Sequence, residues 1–372
     1  MIIGCPKEIK NQEYRVGLTP SAVSEAVSRG HRVLIQAGAG AGAGFPDDEY
    51  LAAGAELIVD APALFEQAEM IVKVKEPQAE ERKMLRKNQL LFTYLHLAPD
   101  PQQTLDLLDA GVTAIAYETV TDASGGLPLL APMSEVAGKL APQVGSWALQ
   151  RANGGRGTLM GGVPGVGPAE VVVIGGGVVG THAARVAAGM GADVTVLDMS
   201  MPRMRYLDDV FGDKFKTRYA SRENTANLIK TADMVVGAVL VPGAAAPQLI
   251  TREQLSTMKQ GAVLVDVAID QGGCFETSHA TTHDDPIYEV DGVVHYCVAN
   301  MPGAVARTST IALGNATMPF VLALADKGWK QACEDDPHLL NGLNTHQGKL
   351  TYFAVGKALG IDTIAPNLAL KI

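Results

Sequence analysis

Four residue types recur where apolar runs give way to polar loops: Arg15 in KNQEYRVG, Lys75 and Glu76 after MIVKV, His96 after LLFTYL, and Glu118 after VTAIAY. Taken singly, a lysine or glutamate at a strand end is usually solvated, and a histidine beside an apolar strand is usually structural. As a set of two cations, an imidazole and a carboxylate they form a candidate site, in which an imidazole can move protons near neutral pH. A second group of residues carries different chemistry. Gly175, Gly177 and Gly180 form G-x-G-x-x-G, and Asp198 follows Gly180 by roughly twenty residues, the spacing of a carboxylate that accepts ribose hydroxyls.

The elements around these residues are readable from pattern. Residues 171–174 are too short and too β-branched for a helix and read as a buried strand. The alanine-rich stretch 182–190 is a helix stopped by Gly191, and ADVTVLD is the next strand. Within that frame Gly175 permits the tight turn, Gly177 lets backbone N–H groups approach a pyrophosphate, and Gly180 lets helix and strand pack closely. Asp198 would repel a 2′-phosphate, so NAD is expected rather than NADP.

Upstream, short apolar strands alternate with capped helices through VTAIAY, with no sequence repeat of 20–50 residues. This rhythm predicts α/β architecture with doubly wound parallel sheets. Ligands in such sheets bind beyond the carboxyl ends of the strands, which is where Arg15, Lys75, His96 and Glu118 fall. Ser134, ahead of Glu135 and Val136, reads as a helix start, and the glycine-rich segment 154–167 reads as a loop, linker or hairpin. Beyond Asp198 the sequence predicts a helix over 201–209, a strand near 216–219, a helix over 223–230, the strand MVVGAVLV, a turn at PGAAAP, a helix over 251–258 and the strand AVLVDVAI ending near Asp270. A last strand, a Pro-Gly turn and a long helix follow in 295–329, and helical pattern returns around 351–359. Val239, Leu240 and residues 267–270 should edge the nicotinamide side of the crevice. The expected division is a discontinuous substrate domain, residues 1–128 plus 306–372, with a Rossmann NAD-binding domain, residues 129–305, inserted.

Composition narrows the partner. The 372 residues carry a net charge of −10 and no basic cluster, which argues against a nucleic-acid surface and for a small-molecule ligand. Four cysteines, Cys5, Cys274, Cys297 and Cys333, are too scattered to signal a metal site or a disulfide framework. MIIGCPKEI lacks the basic and apolar regions of a signal peptide. The uncharged runs 234–251 and 308–325 are interrupted by prolines, glycine, asparagine and threonines and read as core rather than membrane spans. A cytoplasmic protein is expected.

With these motifs in place, the chain resembles the alanine dehydrogenase family over essentially its full length, through KEIKNQEYRVGLTP, VKVKEP, TYLHLAPD, VAIDQGGCFETS and VANMPGAVARTST. The wider family includes the NAD-binding subunit of proton-translocating transhydrogenase and saccharopine dehydrogenases, which share the fold without sharing the reaction. The resemblance implies interconversion of L-alanine with pyruvate and ammonium, coupled to NAD. It assigns Arg15 and Lys75 to the substrate carboxylate, His96 to acid/base chemistry, and Asp270 to the hydrolytic steps and a cofactor contact. It assigns Ser134, Val178, Val179, Asp198, Arg203, Val239, Leu240, Val267, Ala268, Ile269, Asp270, Val298, Ala299, Asn300 and Met301 to NAD. His279 stands where some relatives carry arginine, which affects one peripheral cofactor contact. The family also implies a homohexamer. A transhydrogenase-like subunit, a non-catalytic NAD-binding protein and a dehydrogenase for another small amino acid are the competing readings.

Overall fold

The computed structural model describes residues 1–239 and 247–372. The chain divides into two compact units, Met1–Met133 with Val305–Ile372, and Ser134–Ala304.

In the first unit the strands are β1 (Ile2–Cys5), β2 (Arg32–Gln36), β3 (Glu56–Ile58), β4 (Met70–Val72), β5 (Leu90–Thr93), β6 (Thr113–Ala116), β14 (Leu343–His346) and β15 (Lys349–Leu350). They form one sheet in the order β15-β14-β6-β5-β4-β1-β2-β3. Strands β1 to β6 pair in parallel, whereas β14 runs antiparallel to β6 and β15 antiparallel to β14. Strand order reverses between β1 and β4, which opens a crevice at their carboxyl ends. The crossover helices obey local rules: Thr19 caps Pro20–Ser28 by accepting from the Ala22 N–H, and Asp100 caps Pro101–Ala110, which stops at Gly111 in the left-handed region. Leu34, Leu64, Phe65, Ile71, Leu91, Leu95 and Leu107 pack into the core that fixes these strands.

The second unit contains β7 (Glu170–Ile174), β8 (Asp193–Asp198), β9 (Lys216–Tyr219), β10 (Met234–Gly237), β11 (Val263–Asp266), β12 (Ile287–Val290) and β13 (Val293–Tyr296), ordered β12-β13-β11-β10-β7-β8-β9. All pair in parallel except the β12–β13 hairpin. The reversal here lies between β7 and β10.

The doubly wound α/β class expected from the sequence is therefore present in both units. Some local expectations need correction. Ser134 does not start its helix: the helix runs Ala131–Ala148, because hydrogen bonds from Ala131 N to Leu127 O and from Met133 N to Leu130 O begin the winding earlier. AVLVDVAI stops as a strand at Asp266, and Ile269–Gln271 turns as a 3-10 helix. The end of MVVGAVLV, including Leu240, and most of PGAAAP lie outside the described residues. The hairpins β12–β13 and β14–β15 are additions to the expected pattern. Residues Met301–Asp335 are long and apolar enough to cross a membrane by length and composition, and half of that apolar window is buried inside the protein.

Candidate functional site

In the first unit, chemistry collects at the carboxyl ends of β1, β4, β5 and β6. Arg15 is buried, donating from Nε to Glu13 Oε1 at 2.7 Å and from Nη2 to Glu13 Oε2 at 2.6 Å, with Nη1 3.1 Å from Met133 Sδ. Burial opposes its charge, but the Glu13 hydrogen bonds and charge outweigh that and raise its pKa. Lys75 Nζ lies 3.5 Å from Glu76 Oε2, and Lys10 pairs with the other Glu76 oxygen. Burial alone would raise the Glu76 carboxyl, yet Lys75, Lys10 and, more weakly, His96 hold it below the ordinary range. His96 is exposed, with φ of 48°, and its ring stacks on Tyr94 at 5.8 Å and 14°. Tyr94 in turn lies within electrostatic reach of Arg15. Lys75 thus pairs with Glu76 and His96 stacks on Tyr94, with His96 in electrostatic range of Glu76 and Tyr94 of Arg15.

The backbone that presents Lys75 rests on groups that sequence reasoning missed. Lys73 is fully buried and donates to Glu8 Oε2 at 2.9 Å and Glu81 Oε1 at 2.7 Å. Glu8 Oε1 accepts from the Val74 N–H at 2.7 Å, and Glu81 Oε2 from the Gln78 N–H at 2.8 Å. The available signal was a lysine inside the run MIVKV, since a charge in a buried strand needs partners.

In the second unit the glycine turn separates the demands on its three residues. Gly175 has φ of 102°, and a Cβ there would meet Ala238 O at 2.7 Å. A Cβ on Gly180 would lie 1.7 Å from Gly175 O, so helix and turn touch only because it is glycine. Gly177 is different: its φ is −67° and, among the described residues, a Cβ would meet no atom within 4 Å. Among the described residues no neighbour requires glycine there, which fits a turn that something else must approach. Gly177 also stands at the N-cap of Val178–Gly189 without a side-chain cap, leaving the helix N-terminus to an anionic partner.

Asp198, at the end of β8, accepts from the Gly176 N–H and the Ser200 N–H, both at 2.7 Å, one on each carboxylate oxygen. Arg203 donates to Gly176 O at 2.5 Å and to Thr181 Oγ1 at 2.7 Å, so it braces the glycine turn. Val178 is exposed and Val179 buried at the start of the helix. A Cβ on Gly138 would meet Val179 O at 2.3 Å. Ser134 lies one turn before Gly138 on the same helix. Val239 follows β10 and its carbonyl lies 3.6 Å from Cys274 Sγ.

Residues 267–270 follow β11, with Val267 partly buried, Ala268 and Ile269 buried and Asp270 exposed. Asp266, overlooked in the sequence, shapes this loop by accepting from Ala268 N at 3.1 Å, Cys274 N at 2.7 Å and Ser278 Oγ at 2.6 Å. Its burial raises the carboxyl pKa, partly offset by those bonds. Residues 298–301 follow β13: Val298 and Met301 are buried, Ala299 N donates to Thr281 O at 3.2 Å, and Asn300 has φ of 66°. His279 stacks on Tyr288 at 3.7 Å.

A doubly wound sheet with this glycine turn, an uncapped helix N-terminus and a carboxylate closing β8 defines an NAD-binding α/β protein. The residues present fit that dinucleotide. Family models for the alanine dehydrogenase/PNT N-terminal domain and C-terminal domain match residues 4–137 and 141–353. The chain belongs to the alanine dehydrogenase/PNT family. It is 62% identical to alanine dehydrogenase of Halomonas elongata over 364 residues, 98% of each chain. A solved L-alanine dehydrogenase superposes with a TM-score of 0.94 at 50% identity, covering 97% of this chain and 99% of the other. The transhydrogenase from Sinorhizobium meliloti superposes with a TM-score of 0.82 at 27% identity, covering 95% and 100%.

Proposed function

We propose that the protein catalyses NAD-dependent oxidative deamination of L-alanine to pyruvate and ammonium, and the reverse reductive amination. Identity of 62% across nearly the full chain to an alanine dehydrogenase carries this reading, against 27% to a transhydrogenase. The linked set of Arg15, Tyr94, His96, Glu76 and Lys75 supports it, because a non-catalytic NAD-binding protein has no need of two cations beside an imidazole.

In this mechanism residues 1–128 plus 306–372 serve the substrate and residues 129–305 the cofactor. Arg15 and Lys75 bind the alanine carboxylate, neutralising it and orienting the α-hydrogen. NAD, when bound, supplies the hydride acceptor at its nicotinamide. Oxidation leaves an imine, and His96 transfers the protons that accompany addition of water and departure of ammonia. Asp270 assists those hydrolytic steps. Gly175, Gly177, Gly180 and the helix N-terminus hold the pyrophosphate, and Asp198 the adenosine ribose. Ser134, Val178, Val179, Arg203, Val239, Leu240, Val267, Ala268, Ile269, Val298, Ala299, Asn300 and Met301 complete the cofactor contacts. We further place the enzyme in the cytoplasm, where its four buried, unpaired thiols suit a reducing compartment, and assign it the homohexamer that the family implies.

The test is NADH absorbance with purified protein, NAD and L-alanine at alkaline pH, beside NADP, glycine, L-serine and L-lysine. Alanine- and NAD-selective turnover is expected, with His96→Ala retaining NAD binding and losing most turnover. NAD binding without turnover of any amino acid would overturn the reading.

A further inference from the structure

We propose that Glu118 and Gln103 are positioning residues that clamp the peptide unit preceding His96 and so aim the imidazole. The inference rests on the assignment of His96 to proton transfer. Leu95 C=O and His96 N–H belong to one peptide plane. The carbonyl accepts from Gln103 Nε2 at 2.5 Å, and the N–H donates to Glu118 Oε1 at 2.6 Å. The same carboxylate accepts from Leu95 N, 3.1 Å from Oε1 and 3.2 Å from Oε2. Rotating the plane breaks a bond at one end or the other.

His96 needs such a clamp because its φ of 48° lies in the left-handed region, which a residue with a Cβ adopts only where its surroundings over-determine it. The two arms come from different elements. Gln103 is fully buried in the first turn of Pro101–Ala110, whose start is fixed by Asp100. Its Oε1 has no hydrogen-bond partner among the described residues, yet a flipped amide would turn an oxygen toward the Leu95 carbonyl. Glu118 lies on the 3-10 turn after β6, and β6 pairs with β5, the strand that leads to His96. The orphaned buried oxygen of Gln103 and the disfavoured backbone angle of His96 thus stand at the two ends of one hydrogen-bonded peptide unit.

Glu118→Ala, Glu118→Gln, Gln103→Met and His96→Ala would be compared by alanine kinetics across pH, NADH binding by fluorescence, and thermal unfolding. The expected result is a kcat loss of about 10- to 100-fold in Glu118→Ala, with alanine KM and NADH binding nearly unchanged. Glu118→Gln, which keeps an acceptor oxygen, recovers most of that loss, and the acid limb of the pH profile stays in place in both variants. Should Glu118→Ala fail to fold, Gln103→Met carries the test by losing kcat with NADH binding retained. An unimpaired kcat in the folded variants overturns the clamp, as does Glu118→Gln being as slow as Glu118→Ala with a displaced acid limb, which would make Glu118 a charge partner. Normal turnover by His96→Ala would instead refute the assignment of His96; an inactive His96→Ala beside an unimpaired Glu118→Ala refutes the clamp alone.

Discussion

Alanine at Gly177 and alanine at Gly180 should impair different properties, although the two glycines belong to one motif. At Gly180 a Cβ would lie 1.7 Å from Gly175 O, where real Cβ contacts do not fall under 3.0 Å, so the helix must retreat by about 1.3 Å, the difference between the two. Backbone faces backbone here, so no flexible side chain can relieve the overlap. The expected cost is at least about 1–3 kcal/mol, a fall of several degrees in melting temperature even without NAD. At Gly177 the added Cβ meets no atom of the described residues within 4 Å at an ordinary φ of −67°. The unfolded-state gain from alanine and its poorer N-capping nearly cancel, so stability should change by less than about 1 kcal/mol. NADH affinity should nonetheless weaken by about tenfold or more, roughly 1.4 kcal/mol, because the methyl stands where the pyrophosphate approaches. Thermal unfolding without cofactor and NADH fluorescence titration read the two effects separately. Unchanged NADH affinity in Gly177→Ala, or an unchanged melting temperature in Gly180→Ala, would refute this division of roles.

Lys75→Ala should raise the alanine KM at least about tenfold with little loss of stability, whereas Arg15→Ala should raise KM and also lower the melting temperature by removing two buried guanidinium bonds to Glu13; equal melting temperatures for the two variants would contradict the buried pair. Asp198→Ala should narrow the NAD-over-NADP ratio by about tenfold and weaken both cofactors, because the carboxylate also accepts from the Gly176 N–H; a fixed ratio in steady-state kinetics would exclude the ribose role. His295 is fully buried between Thr277 Oγ1 and Val293 O, and burial depresses its pKa below 6.5. A depressed folded pKa means its contribution to stability is complete above about pH 6.5 and is lost as pH falls through the lower folded value. Melting temperature should therefore decline below about pH 6.5, and less steeply in His295→Gln; identical slopes would assign the decline to other groups.

Much of the site is legible in the sequence because its signals are local. An apolar run of strand length ends at a polar residue, and a parallel sheet places such residues on one edge, so Lys75, His96 and Glu118 can be selected without coordinates. Glycine spacing and a carboxylate closing the next strand likewise specify a dinucleotide turn through requirements met within about thirty residues. Ser134 misleads because a cap-forming residue type does not reveal that backbone bonds to Leu127 have already begun the helix.

What the sequence by itself determined was the class of both sheets, the glycine turn, and the residue types at the strand ends. Tertiary structure alone decided how those residues are held. The partners of Lys73 are 65 and 8 residues away, and the clamp brings together Gln103, 8 residues from Leu95, and Glu118, 22 residues from His96. β14 shows the same limit. LNTH reads as polar, yet the strand is buried, because Asn344 donates to Thr119 Oγ1, Thr345 to Val112 O, and His346 bonds Thr113 across 233 residues. Periodicity records which face of an element is apolar, but a buried polar group is stable only through the particular partners that folding brings to it.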